Sequence, residues 1–154
     1  MTDVTLREMT DDEFTEWFAR SAHGYADDAV IAFDRPRAQA EAEVAADAAA
    51  MLPDGRATEG NHFFRVLASG GDEVGWLWLR LNALGDLWIY DIEIDASLRH
   101  RGYGRATMLA AEAFGRSIGA PALYLNVFAH NPNAYALYDS LGYQATSTRM
   151  RKPL

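Results

Sequence analysis

The sequence predicts an α/β fold of the mixed α+β kind, a central and mostly antiparallel sheet flanked by helices, in a single domain over residues 1–154. Three observations predict it. From His62 to Ile94 three strand-like runs follow one another through short glycine-containing turns, the pattern of an antiparallel meander. From Gly102 onward helical and strand patterns alternate, which makes the sheet mixed and lays helices over it. Before residue 60, two helical stretches precede the meander, the first with an apolar stripe that needs a surface to pack against.

Taken in order, "DVTLREM" alternates apolar and polar residues as a first strand does. "TDDE" follows as a capping box with Thr10 as N-cap and Glu13 at N3, and Met9 and Phe14 stand at hydrophobic-staple positions. Phe14, Trp17, Phe18 and Tyr25 then form a core-facing stripe. A second helix opens near Pro36, runs through the alanine-rich "AQAEAEVAADAAA" and ends around "LPDG". "HFFRVLA", "EVGWLWLRL" and "DLWIYDIEI" are the meander strands. "GRATMLAAEAFGRSIG" is a helix closed by Gly119, "ALYLNVF" a strand, "NPNAYALYDSLG" a helix closed by Gly142, and "YQATSTRMR" a last strand.

Composition bounds the function. With 154 residues and 49% hydrophobic content the chain fits one globular domain, and no apolar run approaches the roughly 18 residues of a membrane span. The start, MTDVTLREMTDDE, has no signal-like core, so a cytoplasmic protein without membrane partners is expected. Absence of cysteine excludes disulfides and thiolate catalysis. Four scattered histidines, His23, His62, His100 and His130, predict no metal site. The net charge of -8 argues against nucleic acid as a partner, and it is unevenly spread. Residues 1–60 carry 14 acids and 5 bases, net -9, whereas residues 61–154 carry 8 acids and 9 bases, net +1.

Against that background "DASLRHRGYG" gathers Arg99, Arg101 and Arg105 around Gly102 and Gly104, between a strand ending at Ile94 and a helix start. Glycine lets backbone approach a ligand, unpaired amides at a helix start attract anions, and arginine suits bidentate phosphate contact. The expectation is a diphosphate cradle. "GYGRAT" half-matches the dinucleotide fingerprint, but Thr107 stands where a third Gly or Ala belongs and the next strand, "LYLNVFA", carries no acid.

"RxxGxG" at Arg99–Gly104, followed by "NPNAYALYDSLGY" with Asn131, Ala134, Leu137, Tyr138, Gly142 and Tyr143, resembles the paired motifs of the GNAT superfamily of acetyl-coenzyme A-dependent N-acetyltransferases. The resemblance runs from about Phe63 to Tyr143. It departs at Ala96, where many members have proline, and at Asn126, where some place a glutamate base. It implies transfer of an acetyl group from acetyl-coenzyme A to an amine, with coenzyme A as co-substrate. Ile92, Glu93 and Ile94 would pair with the pantetheine arm. Arg99, His100, Arg101, Gly102, Tyr103, Gly104, Arg105 and Ala106 would hold the pyrophosphate, with Asn126, Asn131, Ala134 and Tyr138 completing the coenzyme site. A coenzyme A-binding regulatory module without turnover is the competing reading, and a homodimer is common among similar proteins.

The resemblance gives Tyr138 the role of general acid to the departing thiolate, a task its phenol, with an ordinary pKa near ~10, can perform when protonated; the alternative is a core tyrosine. Asn131 caps its helix, contacts the arm, or both. Strand alternation puts Asp91 and Glu93 on one face and Tyr90, Ile92 and Ile94 on the other. Glu93 is the expected base, directly or through water, with Asp91 as alternate or ammonium anchor, unless both pair with arginines or face solvent. Trp76, Trp78, Trp88 and Tyr90 are candidate aromatic walls, and the acidic N-terminal half favours a cationic acceptor.

Overall fold

The structure, a computed structural model, describes residues 1–154. Strands β1 (Val4–Glu8), β2 (Asn61–Ala68), β3 (Glu73–Leu81), β4 (Leu87–Ile94) and β5 (Leu123–Leu125) form one sheet in chain order. The first four pair antiparallel, as the glycine turns require, and β5 joins β4 in parallel after a helical crossover. The helices are α1 (Asp11–Phe33), α2 (Arg37–Met51), α3 (Tyr103–Ser117) and α4 (Pro132–Ser140). No helix is long and apolar enough to cross a membrane.

Helix α1 starts where the capping box puts it. Thr10 accepts from the Glu13 amide, Glu13 accepts from the Thr10 amide at 2.7 Å, and Arg7 clamps Glu13 from β1, also at 2.7 Å. The Arg7 guanidinium and these backbone bonds hold the Glu13 carboxyl down to about 2. Met9 and Phe14 join one aromatic cluster with Trp17, Leu52, Phe63, Trp76 and Trp78, which fixes α1 and α2 to one face of the sheet. The opposite face carries Phe64, Val66, Leu77, Leu79 and Ile89 against Met108 and Ala111 of α3, with Leu137 and Tyr138 of α4, and Leu141 just after it, packed alongside. The sheet is thus covered on both faces.

Two expectations change. "YQATSTRMR" forms no strand: residues 144–154 have no regular structure and are exposed throughout. Alternation along that segment offers no apolar face to bury, and β5 is only three residues long. Strict alternation in β4 also fails, because the β3–β4 register shifts so that Trp78 pairs Asp91 while Leu79 pairs Ile89. Tyr90 is the extra residue of a β-bulge, and its ring lies 4.9 Å from that of Trp78, on the same face as Asp91.

Candidate active site

The bulge matters because of what happens next to it. β4 and β5 pair only from Leu87↔Leu123 to Ile89↔Leu125, so beyond Ile89 the far edge of β4 has no strand partner. The Asp95 amide donates to the Val74 carbonyl at 3.0 Å. Alternation then turns the backbone of Glu93 and Asp91 toward β3 and that of Ile92 and Ile94 toward the open edge. On that edge Arg99 Nε donates to the Ile94 carbonyl at 3.0 Å and the Tyr25 hydroxyl donates to the Tyr90 carbonyl. The Ile92 amide and carbonyl and the Ile94 amide face that open edge. Glu93 leaves the predicted arm-binding set, since its own backbone pairs within the sheet.

At the end of β4 the chain passes through a short turn, Ala96–Leu98, into the arginine–glycine loop. His100 and Gly102 both have left-handed backbones, with φ of 60° and 89°. Alternating hand of this kind curls successive amides into an anion-binding concavity at the N-terminus of α3. The amides of Tyr103, Gly104 and Arg105 have no intrahelical partner, whereas that of Ala106 donates to the Gly102 carbonyl at 3.0 Å. Ala106 therefore closes the helix rather than the cradle. A Cβ at Gly104 would sit 3.4 Å from Leu137 Cδ2, an ordinary packing distance between α3 and α4. Arg105 donates to the Ser140 hydroxyl, Arg99 is engaged with Ile94, and Arg101 projects without a protein partner.

Asn126, exposed, directly follows β5. Asn131 caps α4 by accepting from the Ala134 amide at 3.2 Å, with Pro132 at the first helical position, so capping is realised. Helix α4 carries Tyr138, partly buried and packed against the core on the α3 face of the sheet. Burial, and then the negative charge of Asp91, push its phenol above the ordinary tyrosine value and keep it protonated.

The two carboxylates of β4 differ sharply. Glu93 is gripped by Arg20 at 2.7 Å, with Arg99 at 3.8 Å, and Arg20 stacks 4.4 Å from the Trp76 ring. Asp91 has no cationic partner. Trp17 Nε1 at 2.8 Å and Ser21 Oγ at 3.0 Å both donate to its Oδ2, and Oδ1 accepts from nothing. Burial raises its pKa, the two donors oppose this, and the charges of Glu93 and Asp28 raise it further. Trp76 is 2% exposed beneath Arg20 and Arg65 and is core rather than wall, while Tyr90 is 37% exposed and available. Sequence reasoning missed Trp17, Ser21 and Tyr25 as supports of the site, although their 4-residue spacing on one helix face was readable.

The unpaired edge of β4 beside its bulge thus leads into free amides at the start of α3. The Acetyltransferase (GNAT) family matches residues 6–143. An uncharacterized N-acetyltransferase, YdgE, of Bacillus subtilis is 30% identical over 153 residues, covering 97% of this chain and 98% of the relative. A second from that organism, YycN, is 30% identical over 154 residues, covering 98% and 99%. The YycN crystal structure superposes with a TM-score of 0.92 over 98% of both chains. The aminoglycoside N-acetyltransferase AAC(6')-Iy in complex with coenzyme A, at 14% identity and TM-score 0.62 over 100% of this chain and 96% of its own, shares the fold. The chain belongs to the GNAT acetyltransferase family and is an acetyl-coenzyme A-dependent N-acetyltransferase.

Proposed function

We propose that the protein acetylates a primary, cationic amine by direct attack on acetyl-coenzyme A, with Tyr138 as general acid and the β4 carboxylates handling the amine's proton. The observation that carries this reading is Asp91: a partly buried carboxylate with one oxygen free and no cation beside it, whose charge is felt by the Tyr138 phenol.

The free Ile92 and Ile94 backbone groups accept the pantetheine arm as a short added strand, and the amides of Gly102–Arg105 with Arg101 hold the pyrophosphate. An alkyl ammonium with pKa near ~10.4 is about 0.04% neutral at pH 7, a cost of roughly 4.6 kcal/mol before attack. Glu93, the base expected from sequence, must first release Arg20 to take that proton. Asp91 needs no such rearrangement, and its raised pKa makes it a stronger base than an ordinary carboxylate, so the proton goes to Asp91 Oδ1 with Glu93 and Arg20 framing it. As the amine nitrogen bonds the acetyl carbon and the carbon–sulfur bond breaks, Tyr138 gives its proton to the sulfur, and the nitrogen's second proton leaves through solvent to restore the phenol. The net charge of -9 over residues 1–60, which include the α1 and α2 side of the cleft, supports a cationic acceptor.

Thiol release from acetyl-coenzyme A with matched panels of cationic, neutral and acidic amines tests the reading. Cationic acceptors are expected to turn over fastest; faster turnover of acidic ones would overturn the acceptor class.

A further inference from the structure

The cradle is braced from an unexpected place. Thr2, two residues before β1, donates its hydroxyl to the Arg101 carbonyl at 3.0 Å, across 99 residues of sequence. A Cβ on Gly102 would stand 2.9 Å from Thr2 Oγ1 and 3.3 Å from Thr2 Cβ, so the threonine is seated against the glycine itself. Its position is set by the strand that follows, where Val4 pairs Ala68.

The peptide unit joining Arg101 to Gly102 is planar and trans, so its C=O and N–H point in opposite directions. Gly102 at φ 89° is free to let that unit turn over, because no side chain opposes the rotation. One orientation offers the Gly102 N–H to the anion; the flipped one offers the Arg101 carbonyl oxygen, which repels it. The Gly102 amide donates to no protein group. We propose that Thr2 is a positioning residue for coenzyme A: its hydroxyl holds the Arg101 carbonyl on the outer side and thereby aims the Gly102 amide at the pyrophosphate. The inference rests on the reading that this loop holds coenzyme A.

Thr2→Val keeps the shape and removes the donor; Thr2→Ser keeps the donor. By calorimetry, Thr2→Val should weaken coenzyme A binding about two- to tenfold, the range of one net hydrogen bond, and leave S-acetylpantetheine, which lacks the pyrophosphate, unchanged. Serine should restore affinity, and the KM for acetyl-coenzyme A should rise in the valine variant with kcat constant. Equal coenzyme A affinity in Thr2→Val, equal weakening of both ligands, or no rescue by serine would each overturn the proposal. Hydrogen exchange of the Gly102 amide in the ligand-free protein gives a separate readout. It should change in Thr2→Val and return in Thr2→Ser; exchange identical to wild type also overturns the pin, even if wild type bound neither ligand and the coenzyme reading itself had failed.

Discussion

Asp91→Asn separates catalysis from stability. The asparagine is isosteric and its carbonyl oxygen can take both the Trp17 and Ser21 bonds, so the support of the site survives. What disappears is a charge held without a cation, whose burial raises the pKa. The sign follows from linkage: a carboxyl whose folded pKa lies above its unfolded value of ~3.9 costs stability once pH exceeds both, so the neutral variant should melt at the same temperature as wild type or higher at pH 7. Turnover should move the other way. Loss of a positioned base is worth about 10²–10⁴ in rate, or roughly 2.7–5.5 kcal/mol of barrier, comparable to the cost of freeing the amine. Thiol release at saturating acetyl-coenzyme A, with thermal melts of the same preparations, reads both. Glu93→Gln, which only releases Arg20, should cost far less turnover. An Asp91→Asn enzyme with wild-type kcat, or a Glu93→Gln enzyme that is the more damaged of the two, would refute the assignment of the base.

Under the proposed role of Tyr138 as general acid, Tyr138→Phe should lower kcat about 10²–10⁴-fold with little change in the KM for acetyl-coenzyme A; steady-state kinetics decides. Arg101→Ala, which removes the one cradle guanidinium without a protein partner, should weaken coenzyme A binding roughly 10- to 100-fold, and added salt should narrow the difference, as calorimetry at two ionic strengths can show. Glu13→Gln should destabilise the fold by about 1 kcal/mol at pH 7 through the damaged capping box. The Glu13 carboxyl is lowered from 4.5 to about 2, so its contribution is present above 4.5 and fades as pH falls toward 2; acid melts of wild type and variant should converge across that window.

Much of the fold and part of the site are legible in the amino-acid sequence. Local chemistry wrote the capping box at Thr10–Glu13, the glycine turns of the meander, the α3 start at the arginine–glycine loop and the Asn131 cap, because each depends on residues within a few positions of one another. The bulge at Tyr90 was not legible, since it is a mismatch between two strands and no single strand records it. It moved Tyr90 onto the Asp91 face and undid the two-face division read from alternation. The different fates of Asp91 and Glu93 were equally hidden: both are acids on one strand, and only α1, packed across them, gives one a pair of neutral donors and the other an arginine. The final segment read as a strand, although beyond Tyr143, which packs on the core, every residue is exposed.

The most direct test of the central claim is to incubate the purified protein with acetyl-coenzyme A and a cationic primary amine, and to measure free thiol and N-acetylated amine in the same samples. The structure predicts that the two appear in equal amounts in wild type and that both rates fall together in Tyr138→Phe and Asp91→Asn. Tight binding of acetyl-coenzyme A with neither product formed from any amine would contradict it and leave a coenzyme-binding module in place of an enzyme.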